Sequence, residues 1–218
     1  MRKLTVWVVL AVCGIAQAQI GLDPFAMSRN MMTSTGNLMS QGDIKKELQL
    51  SGAQNEKISD IAKAHQKEMQ EIAKKAQSPG ADMSSMTAAM KEMETLDSET
   101  HAAIVKELTP DQARRLTQLK WQIIGVKSIY DVALQKEIGL SEEQVGKLDD
   151  WRKGESSRMM ALVSASRSPN AMKEARKKMR ADDEAAILGV LLPGQVEKYK
   201  SAIGPESKAA KRMAELVH

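Results

Sequence analysis

The side chains able to do chemistry are few and widely separated. Histidine occurs only at positions 65, 101 and 218, and none has a second ligand at a spacing such as His-x-x-x-His. His65 falls on an apolar stripe and reads as a partly buried packing residue. Cys13, the single cysteine, lies in the N-terminal stretch expected to be a signal peptide and is expected to leave with it. The exported chain would then have no disulfide and no thiolate ligand. Carboxylates are plentiful, yet no pair is set apart as acid and base, and there is no Gly-rich phosphate loop. The chemistry points away from an enzyme, and no cofactor is expected.

Methionine supplies the most regular pattern. Met83, Met86, Met90 and Met93 form two Met-x-x-Met pairs, soft thioether donors that suit Cu(I). The same spacing of three, four and three is that of a buried helical stripe. Methionine also adapts to varied apolar partners. Ordinary packing is the first reading. A client-binding surface shared with Met159, Met160, Met172 and Met179 is the second, and a copper site is the third. A basic run, Lys173, Arg176, Lys177, Lys178 and Arg180, is followed by Asp182, Asp183 and Glu184. It reads as a solvated face with helical ion pairs, or as a rim that attracts acidic segments of a partner.

These residues are positioned by helices that announce their own starts. Four stretches share one layout: Leu50-Ser51-Gly52-Ala53-Gln54, Leu108-Thr109-Pro110-Asp111-Gln112, Leu140-Ser141-Glu142-Glu143-Gln144 and Leu191-Leu192-Pro193-Gly194-Gln195. The hydroxyls of Ser51, Thr109 and Ser141 can accept from a first-turn N–H, and the Gln three residues on can return to the cap's own N–H. Pro110 and Pro193 sit where a missing N–H costs nothing. In the fourth stretch Leu192 replaces the hydroxyl. Capping accounts for Gln54, Gln112, Gln144 and Gln195 on this reading.

The first and third motifs are 90 positions apart, the second and fourth 83. Flanking residues correspond as well, Lys46-Glu47-Leu48 with Lys136-Glu137-Ile138 and Ala102-Ala103-Ile104 with Ala185-Ala186-Ile187. The difference of seven is about two helical turns, which keeps apolar faces in phase. A duplicated helical hairpin is the expectation.

Export is expected too. Arg2 and Lys3 precede a short apolar run from Leu4 to Val12, and Ala16-Gln17-Ala18 supplies a small-x-small cleavage site. The run is too short to span a membrane. The chain has 32 Lys and Arg against 28 Asp and Glu, two of the bases in the leader, a balance that disfavours nucleic acid. Aromatic residues make up 3%, and the apolar share rests on aliphatic residues and 15 Met. Such a composition favours thin helical layers over a thick core.

The expected organisation is a signal peptide over 1–18, a flexible arm over 19–42, one hairpin repeat over 43–125, a second over 126–205, and a loose tail over 206–218. The apolar stripe Ile58, Ile61, His65, Met69 and Ile72 defines the first arm of the first hairpin. Ser78-Pro79-Gly80 and Ser168-Pro169-Asn170 mark the hairpin turns. The fold class is all-α, an elongated bundle of helical hairpins in two tandem repeats.

The motifs at Thr109 and Ser141 resemble the LTxxQ motif of the Spy/CpxP family of small periplasmic helical proteins. The resemblance covers residues 43–204 as two tandem copies, where typical members carry one hairpin with two motifs. It implies a periplasmic, all-helical, non-enzymatic protein, either an ATP-independent chaperone or an envelope-stress or metal-responsive regulator. Its partners would be unfolded proteins or one envelope protein. Two copies in one chain could form a pseudo-dimeric cradle. Ser in place of Thr at 51 and 141, and Leu192 at the fourth cap, depart from the pattern.

Overall fold

A computed structural model describes residues 31–76, 78, 82–166 and 168–217. The expected leader and residues 19–30 of the arm lie outside them. The class is all-α: no strand occurs among the described residues. The chain forms two compact units. Among the described residues, one is split, made of residues 31–124 together with Gly204–Val217, and the other is inserted in sequence as Gly125–Ile203.

The split unit contains α1 (Thr35–Ser40), α2 (Gly42–Glu47), α3 (Gly52–Ala76), α4 (Met83–Glu107), α5 (Pro110–Ile124) and the C-terminal α11 (Lys208–Val217). Helix α3 buries Ile58, Ala62, His65, Met69 and Ile72. Those spacings of four and three are the seam of a coiled coil, and α4 answers with Ala89, Met93, Thr100 and Ile104. Ile61 packs at the margin of this core, because a strict seam admits Ala62 one position further on. Asp82 starts α4 by accepting from the Ser85 N–H at 2.8 Å. The helix stops at Leu108, which is extended. Pro110 disfavours helical geometry in the residue before it, so the chain turns there into α5.

Two expectations change. Residues 31–42, expected within a flexible arm, instead pack: Leu38 and Met39 on α1 are fully buried, and α1 lies against both α3 and α4. Ser34 caps α1 by accepting from the Asn37 N–H at 3.3 Å. Residues 206–217, expected as a loose tail, form α11, whose Ala209, Ala210 and Met213 join the core with Leu116, Leu119 and Ile123 of α5. Two adjacent alanines let α11 approach closely. Ser207 caps it, accepting from the Ala210 N–H at 3.0 Å, while its own hydroxyl donates to the Glu47 carboxylate. Arg115 pairs with Glu47 and Arg212 with Asp43. The Gln122 amide holds both the Ser207 N–H (3.0 Å) and the Pro205 carbonyl (2.8 Å).

The inserted unit runs through a 3₁₀ helix (Gly125–Tyr130), α6 (Val132–Ile138), α7 (Glu142–Lys153), α8 (Glu155–Ala165), α9 (Pro169–Val190) and α10 (Pro193–Ala202). Asp131 caps α6 through the N–H groups of Ala133 and Leu134. Gly139, at φ 73°, ends it in the left-handed region with Leu140 N–H reaching the Gln135 carbonyl at 3.0 Å. Helices α7 and α8 meet at Gly154. The Arg158 guanidinium crosses the backbone there, so that a Cβ on Gly154 would lie 2.7 Å from Arg158 Nη1. Buried positions fall at the sequence offsets noted above: Ile44 and Leu134, Ile58 and Leu148, then Ile104 and Ile187.

Removing residues 204–217 strips α11 from the split unit. Exposing the faces covered by Met213 and the two alanines should cost on the order of 3–5 kcal/mol. In denaturant melts followed by amide exchange, α2 and α5 should lose protection while α9 keeps it.

Candidate functional site: the glutamine clasps

The four motif glutamines meet in pairs, one pair within each unit. In the split unit the Gln54 amide nitrogen donates to Gln112 Oε1 at 2.8 Å, and the Gln112 nitrogen returns the bond to Gln54 Oε1 at 3.2 Å. In the inserted unit Gln144 and Gln195 do the same at 2.6 and 3.0 Å. Each is a reciprocal carboxamide dimer that ties two helix starts together.

The remaining valences are used as well. Each Oε1 accepts from the N–H of its own cap residue: Ser51 at 3.0 Å, Thr109 at 2.9 Å, Ser141 at 3.1 Å and Leu192 at 2.9 Å. Each Nε2 also reaches a helix-end carbonyl. Gln54 takes Glu107 (2.8 Å) and Gln144 takes Val190 (2.8 Å). Gln112 takes Leu48 (3.1 Å) and Gln195 takes Gly139 (2.8 Å). One side chain therefore satisfies an orphan donor at a helix start and an orphan acceptor at a helix end. Ser51, Thr109 and Ser141 complete their boxes through the Gln54, Gln112 and Gln144 N–H groups at 3.2–3.3 Å. Leu192 has no hydroxyl, and the Gln195 N–H goes to the Leu192 carbonyl at 2.8 Å instead.

Capping alone thus understates the glutamines. The missed signal was topological: a hairpin of two long arms returns the chain to its origin, so a Gln at the same helical position in both motifs must arrive face to face.

Each unit also buries a polar node where its first segment crosses its hairpin. In the split unit His65, 3% exposed, faces Thr100 Oγ1 through Nδ1 at 2.9 Å and Ser34 Oγ through Nε2 at 3.2 Å. It is fully buried and hydrogen-bonded rather than partly buried packing. Burial holds its pKa below the usual histidine range, with Asp97 and then Glu68 pulling the other way. In the inserted unit Asp183, 1% exposed, accepts from Trp151 Nε1 at 3.0 Å. Lys127 lies 3.1 Å from Asp183 and 2.7 Å from Glu155. Arg158 reaches Asp183 at 3.4 Å and stacks on the Trp151 ring at 3.9 Å. Asp183, expected on a solvated face, is instead the centre of this node, because α9 turns it inward about one helical turn before the buried Ile187. Loss of water pushes the neighbouring Tyr130 hydroxyl up to about 12, helped by Glu155 and Asp183 and opposed by Arg152 and Arg158.

The methionines divide. Met93 and Met159 are buried, whereas Met86, Met90, Met160, Met172 and Met179 are half-exposed. The Met83 side chain lies outside the described residues. Lys173, Lys177, Lys178 and Arg180 are exposed and Arg176 is half-buried. Between α3 and α4 runs a groove lined by Glu68, Glu71, Lys75, Lys91, Glu92 and Glu99 over an apolar floor that includes Ile72 and Leu96.

Comparison of the chain with known protein families, with curated proteins and with solved structures finds no match.

Replacing Gln112 by Leu should destabilise the split unit by about 2–3 kcal/mol, since it takes away the partner of the Thr109 N–H and of the Leu48 carbonyl and the bonds shared with Gln54. The Gln54→Leu, Gln112→Leu double variant should cost less than the two single changes added together, which denaturant melts in a double-mutant cycle would read. Gln49 is in the left-handed region at φ 51°, where Gly139 stands in the other unit. Gln49→Gly should therefore stabilise by about 0.5–1 kcal/mol, visible as a raised unfolding midpoint.

Proposed function

We propose that the chain is an exported, ATP-independent, chaperone-like protein that shields unfolded or stressed envelope proteins, and that it is not an enzyme. The carrying observation is the pair of Gln-clasped helix starts within each unit. It gives the LTxxQ-like residues a shared structural job and supports reading the chain as two Spy/CpxP-like hairpins in tandem. Clasped hairpins keep their ends rigid while leaving the arms to present side chains.

Those arms suit loose capture. Met86, Met90, Met160, Met172 and Met179 are half-exposed among charged neighbours, so a client could cover them without entering a deep site. Covering about 100 Å² of such surface contributes on the order of 2–3 kcal/mol, enough for weak, reversible contact repeated along a chain. Exposed Lys173, Lys177, Lys178 and Arg180 would draw acidic client segments toward α9. Release then needs no nucleotide.

A second reading, an envelope-stress sensor or structural module with one specific partner, is favoured by the groove between α3 and α4. Its two-signed lining, Glu68, Glu71 and Glu92 beside Lys75 and Lys91, suits a partner of fixed charge pattern more than a disordered client.

At several-fold molar excess over a chemically unfolded client, the protein should delay and reduce light scattering. Met86→Ser with Met90→Ser should weaken that protection without changing the melting profile. No suppression for several unrelated clients, combined with saturable binding of one envelope protein, would replace the first reading with the second.

A further inference from the structure

We propose that residues 31–40 are an acid-released strap across the first hairpin, latched by the His65 ring. The inference stands apart from the chaperone reading and needs no client.

The geometry fixes the state of the latch. The Ser34 hydroxyl donates its only proton to the Met31 carbonyl at 2.9 Å, so toward His65 it can only accept. Nε2 must then carry the ring proton, and Nδ1 is left to accept from the Thr100 hydroxyl at 2.9 Å. The neutral imidazole satisfies both neighbours, one on the strap and one on α4. Gly36 brings the strap backbone directly onto the ring, where a Cβ would lie 2.3 Å from His65 Cδ2. No water layer separates them.

Protonation breaks this arrangement. A proton on Nδ1 would oblige the Thr100 hydroxyl to turn from donor to acceptor, and the new charge would sit in a buried seam. Little around the ring offsets that charge. On α4, Asp97 attracts the cation, but its carboxylate already accepts from the Thr35 N–H at 2.7 Å and pairs with Lys120 of α5 at 3.4 Å. His101, also on α4, faces Thr35 Oγ1 at 3.2 Å. On α3, Glu68 is exposed to solvent. The strap contributes only the neutral Ser34, Thr35 and Gly36 at this point.

The sign follows from linkage. The ring under the strap takes up its proton at lower pH than a freed ring does, so the released form binds more protons. The strap is fully held above about pH 6.5, the ordinary histidine value. It weakens as the pH falls from there toward the lowered value of the buried ring. Release uncovers Leu38, Met39 and the α3–α4 seam beneath them. The inserted unit contains no histidine and serves as an internal control.

Amide exchange on the intact protein, corrected for the intrinsic effect of pH, would be measured at about pH 7.5 and about pH 5. Protection over residues 34–40 should fall by about ten-fold for each unit separating the buried ring's titration from that of free imidazole, while α9 is unchanged. In His65→Gln the carboxamide can still donate to Ser34 and accept from Thr100 without titrating, so strap protection should be the same at both pH values. Equal protection in the unaltered protein at the two pH values would overturn the proposal. An equally large acid loss in His65→Gln would also overturn it, by assigning the effect to Asp97 or His101. If His65→Gln is loose throughout, the ring resonances of the unaltered protein decide. A His65 midpoint below free imidazole, matched by the strap amides, upholds the latch, and a midpoint at or above it refutes it.

Discussion

A reciprocal pair of carboxamides at the base of each hairpin is the constraint on which the rest of this structure depends. A helix start has unpaired N–H groups and a helix end has unpaired carbonyls, and where helices converge both need partners. Glutamine is suited to the task because its amide carries two donors and two acceptor positions on one flexible stem. In the split unit Gln54 and Gln112 serve two cap N–H groups, the Glu107 and Leu48 carbonyls and each other. Glutamate would lose the donors and bring two negative charges together. Asparagine would be one methylene too short to return to the cap.

Above this base the two units bury different chemistry at comparable places. The split unit places imidazole and hydroxyls there, an uncharged network in which each ring nitrogen of His65 meets a hydroxyl. The inserted unit places Asp183 and Glu155 against Lys127 and Arg158. Buried charge costs several kcal/mol per ion unless it is paired and hydrogen-bonded, and Trp151 supplies the additional donor to Asp183. Gly154 and Gly36 serve parallel ends, each yielding the volume of a Cβ to a neighbouring polar side chain. One unit thus carries a neutral buried node and the other an ionic one.

Much of this was legible in the residues. Ser51, Thr109 and Ser141 mark true helix starts, and α3 follows the apolar stripe through Ile58, His65, Met69 and Ile72. Helical periodicity and cap chemistry are local, so a single sequence displays them. Less legible were the elements held by distant partners. Leu38 and Met39 lie in a stretch rich in Ser, Asn and Gly, where local propensity is weak, and they are ordered by burial against α3 and α4. Helix α11 is anchored by Glu47 and Asp43, more than 150 positions earlier, a pairing that no local pattern announces. Asp183 looked solvated because it sits in a charged run, yet its helical phase, not its neighbours in sequence, decides which way it faces.

By itself, then, the order of residues determined the helical class, the positions where helices begin, and the spacing that makes paired motifs equivalent, since all of these follow from bonds made within a few residues. Only the tertiary structure decided that the motif glutamines grip one another, that the first and last described helices close the same core, and that His65 and Asp183 are buried. Those outcomes depend on which surfaces meet after the hairpins close, and burial is a property of that meeting rather than of any segment alone.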